Sequence, residues 1–219
     1  MERQSSIDNP KLNSDSHTLN DLVTERRLSL IKRVAANRQP DLTIVIENVH
    51  DPHNVGAIFR SADAVGIEEV QLLYYREQYP TLHPKVTASG GKWVKQKKYN
   101  DPIQVAKELK ERGFNIYATQ LDTDSVPIHE VDWTEPSAII LGNENRGISV
   151  EMAELADKNI GIPMYGMVSS LNVSVATAVI LFEACRQRNA AGKYPNPDLT
   201  SDWLDKTTEK WVKINRKKL

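Results

Sequence analysis

Short β-rich runs alternate with helical segments along this 219-residue chain, and its most polar loops come directly after the runs. Leu42-Thr-Ile-Val-Ile-Glu47 and Ser137-Ala-Ile-Ile-Leu141 are apolar stretches of strand length, the pattern of strands buried on both faces. Residues 70–75, 94–98, 114–120 and 159–162 read as further strands. Segments 54–64, 103–112, 150–155 and 173–190 read as helices between and after them. This alternation specifies an α/β fold, a mostly parallel sheet with helices on both faces. Ligands of such sheets sit beyond the carboxyl ends of the strands. The polar segments 48–60, 119–120, 142–146 and 165–172 all follow strands, so they are expected to converge on one site.

The segment 162–183 passes from a strand end through a small-residue loop into a strongly apolar helix. Asn172 is expected to cap that helix, because its short side chain can accept from the free N–H groups of the first turn. Ser174, Ala176 and Ala178 allow another backbone to lie close. Asn54 is likewise expected at the N-cap of helix 54–64, with Gly66 closing it.

Composition excludes several classes. A hydrophobic content of 40% and a charged content of 26% are ordinary for a soluble globular protein. The longest apolar run, 173–182, is shorter than the roughly 20 residues that span a bilayer, and residues 1–12 carry no apolar leader core. A cytoplasmic protein with no membrane partner is expected. The single cysteine, Cys185, permits no intrachain disulfide and no cysteine metal cluster. No G-x-G-x-x-G follows the first strand, no Walker lysine loop or G-x-S-x-G elbow occurs, and no histidine pair has zinc spacing, so no metal is expected.

The net charge of −1 conceals segregation. Residues 22–38 hold five Lys/Arg against Glu25 alone, 85–98 hold five lysines and no acid, and 206–219 hold six Lys/Arg against Glu209. A basic face of this kind is the footprint of a polyanion, here RNA or DNA. The expected organisation is a disordered 1–16, a basic helical extension over 17–39, an α/β domain over 40–192 and a basic tail or helix over 193–219. Arg26, Arg27, Lys32, Arg33 and Arg38 are read as the polar face of the first helix.

Three stretches carry a more specific signal: Asn54-Val-Gly-Ala-Ile-Phe-Arg60, Leu141-Gly-Asn-Glu-Asn-Arg-Gly147, and Ile162-Pro-Met followed by Ser170-Leu-Asn-Val-Ser174. In their order and flanking strands they resemble the three motifs of the SpoU-type RNA 2′-O-ribose methyltransferases. The context 38–55, with 166–175 and 181–188, is similar to the members of that family that act on a tRNA guanosine. The resemblance implies a C-terminal trefoil knot, S-adenosylmethionine as cofactor, tRNA as substrate and a homodimer packed through the knot helices. Carried over by position, it implies that Thr119, Gly142, Ile162 and Leu171 line the cofactor pocket, and that Asn54, Arg60, Glu144, Ser170 and Asn172 form the reactive face. The basic N-terminal helix and C-terminal tail match extensions that grip tRNA.

The chemistry is coherent. A ribose 2′-hydroxyl must lose its proton as it attacks the sulfonium methyl, with both partners held in line. A guanidinium is a poor base, so Arg60 is read as a clamp on a phosphate beside the target ribose, and Glu144 is the carboxylate alternative for the proton. A bulky side chain at Gly142 is expected to fill the cofactor pocket and leave the fold intact. The alternative readings are a relative acting on another tRNA ribose or on rRNA, an RNA-binding module without chemistry, and an unrelated nucleotide-binding α/β protein.

Overall fold

The computed structural model describes residues 23–80, 90–120 and 124–216, so the expected disordered segment 1–16 lies outside the described residues. In chain order the elements are α1 (Glu25–Ala36), β1 (Leu42–Glu47), α2 (Pro52–Ala64), β2 (Glu69–Leu73), α3 (Gly90–Trp93), β3 (Lys95–Tyr99), α4 (Pro102–Glu111), β4 (Asn115–Thr119), β5 (Val126–Pro127), β6 (Ser137–Leu141), α5 (Val150–Leu155), β7 (Lys158–Gly161), α6 (Val173–Ala190) and α7 (Ser201–Arg216). Two compact units result. One holds the described residues up to Ala35 and those from Thr200 on; the other is Ala36–Leu199. Lys193–Leu199 therefore fold with the larger unit, where Asn196 Nδ2 donates to the Arg38 carbonyl.

The larger unit is a seven-stranded sheet of order β3-β2-β1-β6-β4-β7-β5, and every described pairing is parallel. Parallel neighbours need long crossovers, which α2, α4, α5 and the loops supply. Both faces are covered, as the unbroken apolar strands require. Ile44, Ile46, Leu72, Ile139, Leu141 and Ile160 pack with Val55, Ile58 and Phe59 of α2 and with Ile180, Leu181 and Ala184 of α6. Val45, Leu73, Ile116, Ala118 and Ile140 point the other way, toward Val105, Ala106 and Leu109 of α4 and Met152 of α5. From β1 the chain builds outward through β2 to β3, then crosses to the other side of β1 for the remaining strands. The segment after β1 enters α2 on one face, and that after β6 leads to α5 on the opposite face. Their divergence opens a crevice at the carboxyl ends of β1 and β6, the topological switch point where such sheets bind ligands.

Some expectations need correction. α2 begins at Pro52, and its N-cap is Asp51, whose Oδ1 accepts the His53 N–H at 2.8 Å. Proline suits the first turn because its missing N–H would have no partner there, so Asn54 falls inside the helix. Arg38 is not on the surface with the other basic residues. It is fully buried and donates to the Ile67 carbonyl at 2.8 Å and to Asp63 at 2.6 Å. The edge strand β3 does expose Lys95, Lys97 and Lys98, and such charges keep an edge from pairing with another chain. Two of them are engaged within the protein, Lys95 with Glu68 and Lys97 with Glu108.

In the smaller unit, α1 buries Leu28, Ile31 and Ala35 along one stripe and leaves Arg26, Lys32 and Arg33 exposed, with Arg27 half-buried. α7 buries Thr208, Trp211 and Val212. Among the described residues no helix is long and apolar enough to cross a membrane, and no group of metal-binding side chains occurs.

Candidate active site

The crevice is held by one continuous chain of side-chain hydrogen bonds. Asn172 caps α6: its Oδ1 accepts the Ser174 N–H at 2.8 Å and the Ser174 hydroxyl at 2.7 Å. That leaves only its Nδ2 to donate, and it does so to Asn54 Oδ1 at 3.1 Å. Asn54 must then present Nδ2 to Glu144, donating to Oε1 at 2.9 Å. Oε1 also accepts the Asp51 N–H at 3.1 Å, and Oε2 the His50 N–H at 3.0 Å. Each amide is fixed in direction by its neighbour, so all three motifs share one polarity.

Burial acts to raise the pKa of Glu144, but the hydrogen bonds from Asn54, His50 and Asp51 outweigh it and hold the carboxyl below the usual range. A carboxylate so stabilised is a poor proton acceptor at neutral pH, which argues against Glu144 as the base and for an organising role. Asn54→Asp would set two carboxylates against each other where Nδ2 now donates. It is expected to destabilise the protein by about 1–3 kcal/mol at neutral pH, more than Asn54→Ala does. Like charges raise a carboxyl pKa, so this excess should shrink as pH falls toward about 5. Denaturant midpoints of both variants at the two pH values check this.

Beside the network lies a cavity of ≈ 540 Å³, within the range of small-molecule sites. Its lining includes Thr119, Gly142, Ile162 and Leu171, together with Glu144, Ser170 and Asn172. Seven of the sequence-derived residues thus share one cavity, and Asn54 is bonded at its edge. Arg60 is not part of the lining. It is exposed on α2, without an ion pair or hydrogen bond among the described residues.

The turn 142–147 is pinned by paired backbone hydrogen bonds, Asn143 N–H to Gly147 carbonyl at 2.9 Å and the reverse at 2.8 Å. Gly147 adopts φ 68°, which a side chain would strain. A Cβ on Gly142 would lie 2.3 Å from the Gly147 carbonyl carbon, so even alanine does not fit. The expectation of a blocked pocket in an intact fold is therefore revised: Gly142→Val must displace the turn that carries Glu144. Calorimetry should find cofactor binding lost, and hydrogen exchange should show the 142–148 amides exposed with it.

Sequence reasoning missed two residues that build this site. Asn48 leaves β1 at φ 50°, a left-handed conformation that asparagine tolerates. Its Oδ1 accepts the N–H groups of Tyr75, Arg76 and Glu77 at 3.1–3.2 Å. Asn143 Nδ2 donates to the Asn48 carbonyl at 2.8 Å, joining the turn after β6 to the exit of β1. An asparagine at a strand exit was the available signal.

The family model described as SpoU rRNA Methylase family matches residues 41–182, which covers the sheet, the network and most of α6. The chain belongs to the SpoU methylase family. A tRNA (guanosine(18)-2′-O)-methyltransferase of Aquifex aeolicus is 45% identical over 193 residues, spanning 87% of this chain and 90% of that relative. The crystal structure of the A. aeolicus TrmH/SpoU tRNA modifying enzyme superposes with a TM-score of 0.81 at 42% identity, covering 87% of this chain and 97% of that one. The SpoU methyltransferase AviRb of Streptomyces viridochromogenes, solved in complex with AdoMet, gives a TM-score of 0.62 at 28% identity, covering 70% of this chain and 62% of its own. In this SpoU chain the three motifs read from sequence are the three segments that the Asn172–Asn54–Glu144 network joins.

Proposed function

We propose that this SpoU protein methylates the 2′-oxygen of guanosine 18 in tRNA, using S-adenosylmethionine. The observation that carries the reading is the directed hydrogen-bond network at the edge of a cavity formed by the loops after β4, β6 and β7. The activity printed for the 45%-identical A. aeolicus relative supplies the substrate.

The cavity fits the cofactor. Ile160, Ile162, Leu171 and Ile180 offer apolar walls to an adenine ring, backbone groups around Gly142 and Leu171 are available to its polar edge, and Glu144 lies in the lining as the counter-charge to a sulfonium. When bound, S-adenosylmethionine supplies the electrophilic methyl. The chain's own residues do the rest: Glu144, Asn54 and Asn172 fix the loops that orient the ribose hydroxyl. Arg60, exposed and without a described partner, grips the adjoining phosphate and stabilises the negative charge on the hydroxyl oxygen as it attacks, the proton leaving to water.

The same reading includes a C-terminal knot and a homodimer. Residues between β7 and α6 line the cavity together with the loops after β4 and β6, and α6 packs on the same face of the sheet as α2, an arrangement compatible with a threaded segment. Val175, Val179 and Phe182 form an exposed apolar stripe on α6, and Tyr165, Met167 and Val168 extend it, a surface suited to burial against a second copy. Arg26, Arg27, Lys32 and Arg33 contact tRNA phosphates. Neutralising Arg26 and Arg27 should weaken binding to all tRNAs and flatten the salt dependence by about one log–log unit per contact; unchanged affinity and slope would make α1 a solvated face.

Methyl incorporation from labelled S-adenosylmethionine tests the activity. Label in bulk tRNA and none in rRNA supports the tRNA reading. Label in rRNA alone moves the substrate to the ribosome, and label in neither leaves a binding module.

A further inference from the structure

A second cavity of ≈ 420 Å³ opens at the carboxyl ends of β2 and β3, lined by Tyr74, Glu77, Tyr79, Lys98, Tyr99 and Asn100 among others. Its walls are aromatic. Tyr74 and Tyr79 meet edge to face with ring centroids 5.1 Å apart, and the Lys98 ammonium lies 5.3 Å from the Tyr79 ring centre. Among the described residues, three of its polar groups lack hydrogen-bond partners. Tyr79 Oη is buried with no partner among the described residues, and burial pushes this phenol up to about 12, so it stays a donor. Lys98 is exposed with no carboxylate on it among the described residues. Glu77 Oε1 accepts from Arg146 Nη2 at 2.5 Å, and its Oε2 has no described partner.

This cavity is fixed to the active site. Asn48 Oδ1 holds the 75–77 backbone, and the Tyr74 hydroxyl donates to the Val49 carbonyl at 2.9 Å. The next two residues, His50 and Asp51, donate their N–H groups to Glu144. Arg146, which pairs with Glu77, belongs to the turn that carries Glu144. One loop and one ion pair thus set the distance between this cavity and the Glu144 carboxylate.

We propose that this cavity reads a guanine base of the RNA segment that presents the target ribose. Resting on the function proposed above, it names how guanosine is selected. Splayed-out bases in RNA are stacked on aromatic side chains and hydrogen-bonded along their Watson–Crick edges. Guanine offers N1–H and the exocyclic N2 amino as donors and O6 as acceptor. A carboxylate matches the two donors, a phenol or ammonium matches O6, and tyrosine rings supply the stacking surface. Adenine presents an acceptor at N1 and would leave Glu77 facing a lone pair. The base is either the target's own or that of a neighbouring guanosine; the chemistry is the same.

Inosine, which is guanine without the N2 amino, is the probe. In single-turnover and steady-state methylation of tRNA transcripts, inosine is placed at the target nucleotide in one arm and at each neighbouring guanosine in others. The parent protein should lose about 10-fold or more in kcat/KM at the position the cavity reads, and the arm that responds identifies which guanosine it is. Glu77→Gln should slow the guanosine transcript and abolish the preference over inosine, while S-adenosylmethionine affinity stays as in the parent. Tyr79→Phe keeps the ring and should preserve that preference while lowering the rate on both transcripts. Equal rates on guanosine and inosine transcripts in every arm, or a preference retained by Glu77→Gln, overturn the assignment and leave the methyltransferase reading intact. A chain that methylates no guanosine transcript overturns both.

Discussion

Arg60→Ala is expected to bind S-adenosylmethionine and tRNA almost as the parent does, and to lose at least ~100-fold in turnover, the scale of one positioned proton-transfer or charge-stabilising group. The reason lies in where Arg60 sits. Its side chain is outside the cofactor cavity and holds up no part of the fold, since among the described residues it has no ion pair or hydrogen bond. Its removal should therefore cost little in either ground state. The loss appears when the ribose hydroxyl gives up its proton, because the guanidinium then orients the ribose-phosphate and stabilises the negative charge developing on the attacking oxygen. Arg60→Lys should recover little, since an ammonium cannot reproduce a planar two-pronged grip. Glu144 offers no substitute, its carboxylate being engaged by three donors. Single-turnover methylation by Arg60→Ala at the parental rate would remove Arg60 from the chemistry.

The second large effect is on stability. Arg188 is fully buried near the end of α6, and all five of its N–H groups find acceptors. Nε donates to the Trp133 carbonyl at 2.8 Å. Nη1 donates to Gln39 Oε1 at 2.9 Å and to Asp41 Oδ1 at 2.6 Å. Nη2 donates to the Asp41 and Glu135 carbonyls at 3.2 and 3.1 Å. One side chain thus ties α6 to the approaches of β1 and β6. Arg188→Ala orphans these acceptors together, and breaking a buried pair by removing one partner costs about 3–5 kcal/mol. Burial acts to raise the pKa of Asp41, but Arg188 and Lys193 hold it below its ordinary value of 3.8. A carboxyl lowered by folding contributes stability above its unfolded pKa and loses it as pH falls through the folded one. The gap between parent and Arg188→Ala in urea midpoint should therefore be full at neutral pH and narrow below about pH 4. A midpoint within experimental error of the parent would show that the carbonyls find other donors.

What could be read in the sequence was whatever depended on a period or on a motif. Unbroken runs such as Thr43-Ile-Val-Ile46 disclosed strands covered on both faces, and the fold follows from their alternation with helices. Boundaries shifted by a few residues where capping chemistry decided them, as at Asp51 and Pro52. The two-residue β5 carries no period at all and went unread. The motif residues Asn54, Glu144 and Asn172 were legible, yet their mutual hydrogen bonds were not, because they span 90 and 118 positions of sequence. Charge was the poorest guide. Arg38 and Arg188 look like any surface arginine in the sequence, but both are buried pins, and Lys95 and Lys97 are spent on neighbouring carboxylates.

The most direct test of the central claim changes one atom of the substrate. Two tRNA transcripts are prepared that differ only at guanosine 18, one with ribose and one with 2′-deoxyribose, and each is incubated with the protein and labelled S-adenosylmethionine. A 2′-O-methyltransferase of guanosine 18 labels the first and leaves the second bare, while binding both with comparable affinity. Equal label on the two would place the methyl on another atom or another nucleotide and contradict the account.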